Sequence, residues 1–98
     1  MWIGWIEFDL LLGDVRSLKQ KRSAVRPLIA ELQRRFAVSA AETGAQDLHR
    51  RANVGVALVS ADRAHVVDVL DSAERLVASR PELELLSARR GLRRSTDD

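Results

Sequence analysis

Residues 2–12 alternate. Trp2, Ile6, Phe8, Leu10 and Leu12 share one face, with Gly4 among them, while Ile3, Trp5, Glu7, Asp9 and Leu11 share the other. Period 2 in an aromatic and branched run predicts a strand with one fully apolar face. The second face is mixed. Its apolar members, Ile3, Trp5 and Leu11, are large for a surface that meets only water.

The period changes after Gly13-Asp14. Ser17 with Gln20 three residues later has the pattern of a capping box and predicts a helix start. Leu18, Val25, Ile29 and Leu32 then recur at helical spacing, flanked by Leu28, and form one apolar stripe. Pro27 removes a backbone donor and crowds the carbonyl of Ser23, which predicts a kink or break there.

Further on, residues 36–42 are short and small-sided, the pattern of an edge strand, and 43–50 form a polar connection. Residues 51–60 predict a second good strand, with Val54, Val56 and Leu58 on one face and Asn53, Gly55, Ala57 and Val59 on the other. Asp62 can cap a second helix over 63–79, whose core stripe is Val66, Val67, Leu70, Ala73 and Val77. Pro81 marks its end, and 83–88 reads as the last strand. Residues 1–90 thus make one domain, and 91–98 read as a polar, disordered tail.

The order β-α-β-β-α-β in so short a chain predicts an α+β, ferredoxin-like fold: a four-stranded antiparallel sheet with two helices on one face. Right-handed crossovers place the first and third strands centrally. The far face of the sheet is then uncovered. It would carry Ile3, Trp5, Glu7, Leu11 and Val59, and exposed apolar area of this kind marks a partner or dimer surface. The plainer alternative is that Trp5 packs on a loop or tail of its own chain.

Composition narrows the field without deciding it. At 98 residues the chain has room for one modest core. It has no cysteine, which excludes a disulfide framework, a thiol nucleophile and a cysteine metal site. The apolar start carries Glu7 and Asp9 and reads as a strand, not a signal peptide or membrane span, so a cytoplasmic protein is expected. Net charge is only +2, but basic residues cluster at 16–35, 50–51 and 89–94. An uneven surface of this kind can attract polyanions although the total is near neutral.

The segments SLKQKRSAVRPLIAEL and VSAAETGAQDLHRRANVGVALVS carry more specific information. Ser17-Leu18-Lys19 with Lys21-Arg22 and Ala24-Val25, then Val38-Ser39-Ala40 with Glu42, then Asp47 to Ala52 with Gly55-Val56, resemble the YlxP-like bacterial family, a domain of unknown function numbered 503. The likeness covers about residues 2–80. It implies the ferredoxin-like fold, and a gene commonly found near those for translation initiation and ribosome-binding factors. The chain departs from the family pattern at His49, where Trp is frequent, and in the closing LELLSARRGL.

Three functions are weighed. The first is an RNA- or ribosome-binding accessory factor, its partner ribosomal RNA or a ribosomal subunit. Arg16, Lys19, Lys21, Arg22 and Arg26 lie on or near the first turns of the first helix, and His49, Arg50 and Arg51 precede a central strand. Such cations suit phosphate oxygens. No aromatic pair of the kind that stacks bases stands on the open sheet, so backbone or shape recognition is expected. The bland alternative is a solvated helix face paired with its own acids. The second function is a homodimeric interaction module using the open sheet face, anchored by Trp5.

The third is an acylphosphatase-like enzyme, disfavoured because Gly13-Asp14-Val15-Arg16 lacks a glycine-rich cradle and Asn53 is the only asparagine. Glu7 and Asp9 could mimic a catalytic carboxylate pair, but nothing in the sequence perturbs them. His49 and His65 have no ligand partners at metal spacing. The expectation is therefore a non-enzymatic protein without metal, cofactor or membrane.

Overall fold

The apolar face of residues 2–12 forms the floor of the core. The structure is a computed structural model and describes residues 1–96. Its elements are β1 (Trp2–Leu12), α1 (Leu18–Phe36), β2 (Ser39–Gly44), β3 (Arg51–Ser60), α2 (Arg63–Ala78) and β4 (Leu83–Arg94). The strands form one antiparallel sheet in the order β2-β3-β1-β4, so β1 and β3 are central. This is the α+β, ferredoxin-like arrangement that the element order predicts.

Ile6, Phe8, Leu10 and Leu12 of β1 and Ala52, Val54 and Val56 of β3 are buried together with Val25, Leu28 and Leu32 of α1 and Val66, Leu70, Ala73 and Val77 of α2. Burial of this apolar area drives the packing of both helices on the same face of the sheet. Helix α2 comes very close to β1 at Gly4. A Cβ there would fall 2.2 Å from Val66 Cγ1, so only glycine permits this approach.

The cap of α1 forms as expected, with one difference. Gln20 N–H donates to Ser17 Oγ at 3.1 Å, but Gln20 Oε1 accepts from the Arg16 N–H, at 2.7 Å, one residue before the cap. No break occurs at Pro27, and α1 runs unbroken from Leu18 to Phe36. Pro27 and Ser23 are both exposed, so water can take the place of the missing donor, while Val25 and Leu28 anchor the helix on either side. Because α1 takes Phe36 and Ala37 caps it, β2 starts at Ser39, three residues later than the pattern suggests. In α2 the buried position is Val69, with Val67 half-buried.

The largest correction concerns the C-terminal segment. Residues 91–94 are not a tail but the second half of β4, and Trp2 pairs with Arg94 in the ladder. The sequence hides this strand because arginine stands at two of its inward positions, on either side of Leu92. Arg90 Nη1 and Nη2 donate to Asp71 (2.8 Å) and Glu74 (3.1 Å) of α2, and the Arg94 guanidinium lies 5.5 Å from the Trp2 ring centre. Beyond the strand, Met1 and Ser95 still bond: Ser95 N–H donates to Met1 O at 2.9 Å. Residues 97 and 98 lie outside the described residues. No helix among the described residues is long and apolar enough to cross a membrane.

Candidate functional site

Two surfaces carry the residues singled out by the sequence. The first is the solvent face of α1. Lys19, Arg22 and Arg26 are exposed and fall within one narrow sector, about a third of a turn from the buried stripe. None of the three has an ion pair or side-chain hydrogen bond among the described residues. Arg16 stands just ahead of the cap and reaches Asp14 at 3.4 Å in open solvent.

Lys21 does not belong to this set. It is 2% exposed, and its ammonium donates to Ala45 O at 2.6 Å and pairs with Glu42 Oε2 at 2.9 Å. The reason is helical geometry. Position 21 continues the buried row of Val25, Leu28 and Leu32 toward the helix start, so the lysine stem covers the core and its head reaches an acid of β2. The pair ties α1 to Ala45, which opens the 45–50 loop at a φ of 57°.

The cations at the end of that loop and just after it are also engaged. Arg50 Nε donates to Gly13 O (3.0 Å) and Leu12 O (3.3 Å), closing the end of β1. Arg51 Nη2 donates to Asp9 Oδ2 at 2.5 Å. His49 is exposed. The predicted cationic cluster thus resolves into an outward row, Lys19, Arg22 and Arg26, with Arg16 exposed just ahead of it in sequence and His49 exposed on the 45–50 loop. Lys21, Arg50 and Arg51 hold the fold together instead.

The second surface is the open face of the sheet, and it carries all five predicted partner-face residues. In register, Ile3 stands beside Val59, Trp5 beside Ala57, Glu7 beside Gly55 and Leu11 beside Arg51. On the other side Trp5 meets Gly91, and Glu7 meets Arg89. Trp5 is 40% and Val59 59% exposed, so Trp5 is not sealed by its own chain. A groove of about 630 Å³ runs between Trp5 and β2 over a floor of small residues, Ala57, Gly55 and Ala41. A second hollow, of about 550 Å³ beside Val59 and Phe36, shares Ser39 and Ala57 with it.

The acids on this face are neutralised within it. Glu7 Oε1 accepts from Arg89 Nη2 at 2.6 Å and Glu7 Oε2 from the Thr43 hydroxyl at 2.9 Å. Asp9 accepts from Arg51 and, at 3.4 Å, from the Asn53 amide. The Arg51 hydrogen bond and charge outweigh burial and hold the Asp9 carboxyl below the usual carboxylate range. The same contact raises Arg51, and Asp71 does likewise for Arg90. Arg89 and Thr43 were not singled out by the sequence, because each meets Glu7 from a distant part of the chain.

Asn53 donates to Asp9, and Glu7 and Asp9 each hold a separate arginine. Among the described residues no group of three or more His, Asp or Glu side chains could hold a metal ion.

Comparison with known proteins places the sequence. The family model described as "Protein of unknown function (DUF503)" matches residues 3–90. The "Uncharacterized protein YlxP" of Bacillus subtilis (strain 168) is 34% identical over 82 residues, which span 84% of this chain and 89% of that protein. Among solved structures, a variant of SnoaB, a cofactor-independent oxygenase from Streptomyces nogalater, aligns over 99% of this chain and 95% of its own. The identity there is 13% and the TM-score 0.46.

Proposed function

The chain belongs to the DUF503 family, and from its surface we propose that it is a non-enzymatic RNA-binding accessory factor acting through the cationic row of α1. The observation that carries this reading is that, among the described residues, Lys19, Arg22 and Arg26 have no acidic partner. Arg35, Arg51, Arg80, Arg89 and Arg90 each pair with a carboxylate on their own surface. The row on α1 is left with its charge uncompensated, on a rigid helix fixed by its cap and by the buried Lys21. Phosphates along a nucleic-acid backbone supply the opposite charge, and binding releases their counterions. The row offers no stacking platform, so it suits backbone contact and not base reading. Ribosomal subunits are the RNA partner this reading favours.

Co-sedimentation with ribosomal subunits at low and at moderate salt tests it. Wild type is expected to pellet at low salt and to release as salt rises, while Arg22→Glu and Arg26→Glu pellet less and release at lower salt. Variants that pellet like wild type, or a wild type that stays soluble at low salt, retire the reading.

A further inference from the structure

The open sheet face is shaped and charged to take a second copy of the same chain, and we propose that the protein pairs through it, each Trp5 seated in the groove of its partner. The face combines a ridge and a trough. The Trp5 indole lies over Gly91 of β4 as a partly exposed ridge, while on its other side the groove is floored by Ala57, Gly55 and Ala41. A two-fold operation brings each ridge over the other copy's trough, and self-complementarity of this kind is what an isologous interface needs.

Charge favours the same occupant. Register places Glu7, Asp9 and Glu84 on this face against Arg51, Arg89 and Arg93, an even balance. Two such faces therefore do not repel. Both oxygens of Glu7 and of Asp9 already accept hydrogen bonds within their own copy, so covering them strands no bare carboxylate. Trp5 and Val59 are exposed apolar side chains on this face, and a second copy laid over them removes that apolar surface from water.

The area is sufficient. Four strands about 4.8 Å apart, from six residues in β2 to twelve in β4, present a face of roughly 600 Å². Two of them bury roughly 1,200 Å², the lower bound of stable interfaces. Pairing of two copies does not depend on the RNA reading. The helices lie on the far side of the sheet, so a dimer carries two outward cationic rows.

Sedimentation velocity of the full chain tests the proposal, with Trp5→Asp and Val59→Asp alongside. Val59 is mostly exposed, so its variant is expected to keep the fold, as circular dichroism would verify. Wild type is expected at twice the chain mass of 10.9 kDa. Each variant is expected to weaken association by roughly 30-fold or more, the loss typical of a central anchor. A wild type that sediments as one copy up to high micromolar concentration overturns the proposal. So does a dimer that both variants leave intact. Neither result bears on the ribosome assay, which reads a different face.

Discussion

The indole of Trp5 occupies the space where Gly91 would carry a side chain. The two are cross-strand partners, and a Cβ on Gly91 would fall 1.9 Å from Trp5 Cζ2 and 2.2 Å from Cε2. An aromatic ring covering a glycine on the neighbouring strand seals backbone that would otherwise lie bare. It also fixes the height and direction of the ridge beside the groove. Because the ring is partly exposed, it can swing aside.

Gly91→Ala is therefore expected to displace the indole while costing the fold little. The change in unfolding free energy should stay within about 1 kcal/mol, well below the cost of overpacking a closed core. Near-ultraviolet circular dichroism should lose Trp5 signal, and association measured by sedimentation should weaken as it does in Trp5→Asp. An unchanged near-ultraviolet spectrum would show that the ring does not depend on the glycine.

Asp9 gives the molecule a predictable acid sensitivity. Its carboxyl is held below its ordinary value, chiefly by the Arg51 hydrogen bond. A group lowered in the folded state stabilises fully above its unfolded value, about 3.9, and loses that contribution as pH falls through the lower folded value. Asp9→Asn should therefore melt lower than wild type at neutral pH, and the gap should close as pH drops below about 4. Thermal melts of both proteins across that window decide the matter. A gap of constant size would remove the ion pair as its cause.

How much of this was legible in sequence follows from what each residue meets. The faces of β1 and β3 and the stripes of both helices could be read because alternation and helical spacing are local, and they suffice for the fold. The second half of β4 could not, since Arg90 and Arg94 look like tail residues until Asp71, Glu74 and Trp2 are brought to them. The five open-face residues fell where alternation placed them. The groove beside them stayed hidden, because Arg89 lies 82 residues from Glu7 and Thr43 lies 36. Charge count alone could not separate the free row of α1 from Lys21, Arg50 and Arg51, which is a question of partners and not of composition.

Ala37 offers a simple test of the helix end. It caps α1 in the left-handed region, at a φ of 52°, with its N–H donated to Gln33 O at 3.1 Å. Alanine pays a steric cost of roughly 1 kcal/mol there that glycine avoids. Ala37→Gly is expected to stabilise the protein by roughly 0.5–1 kcal/mol, which raises the melting temperature by several degrees at this size. A lower melting temperature would mean that the added freedom of the unfolded chain outweighs the relief.

Lys21 and Arg22 are neighbours in sequence and opposites in role, and the contrast separates folding from binding. Removing Lys21 as Lys21→Ala leaves Glu42 facing the core edge without its cation and empties the space the lysine stem fills. Glu42 keeps some solvent contact, so the expected loss is roughly 2–3 kcal/mol, below that of a fully buried pair. Lys21→Met restores the stem, and the double variant Lys21→Met/Glu42→Gln removes the stranded charge as well, so stability should recover stepwise in urea melts. The Lys21 ammonium is spent on Glu42 and Ala45, so the Lys21→Met/Glu42→Gln protein should bind RNA with wild-type salt dependence. Arg22→Glu should do the reverse. It should leave the urea midpoint nearly unchanged and lower the slope of log affinity against log salt by about one, the signature of a lost phosphate contact. If instead the Lys21 variants change the slope and Arg22→Glu does not, the polyanion meets α1 where Lys21 reaches Glu42 and Ala45, and not the outward row.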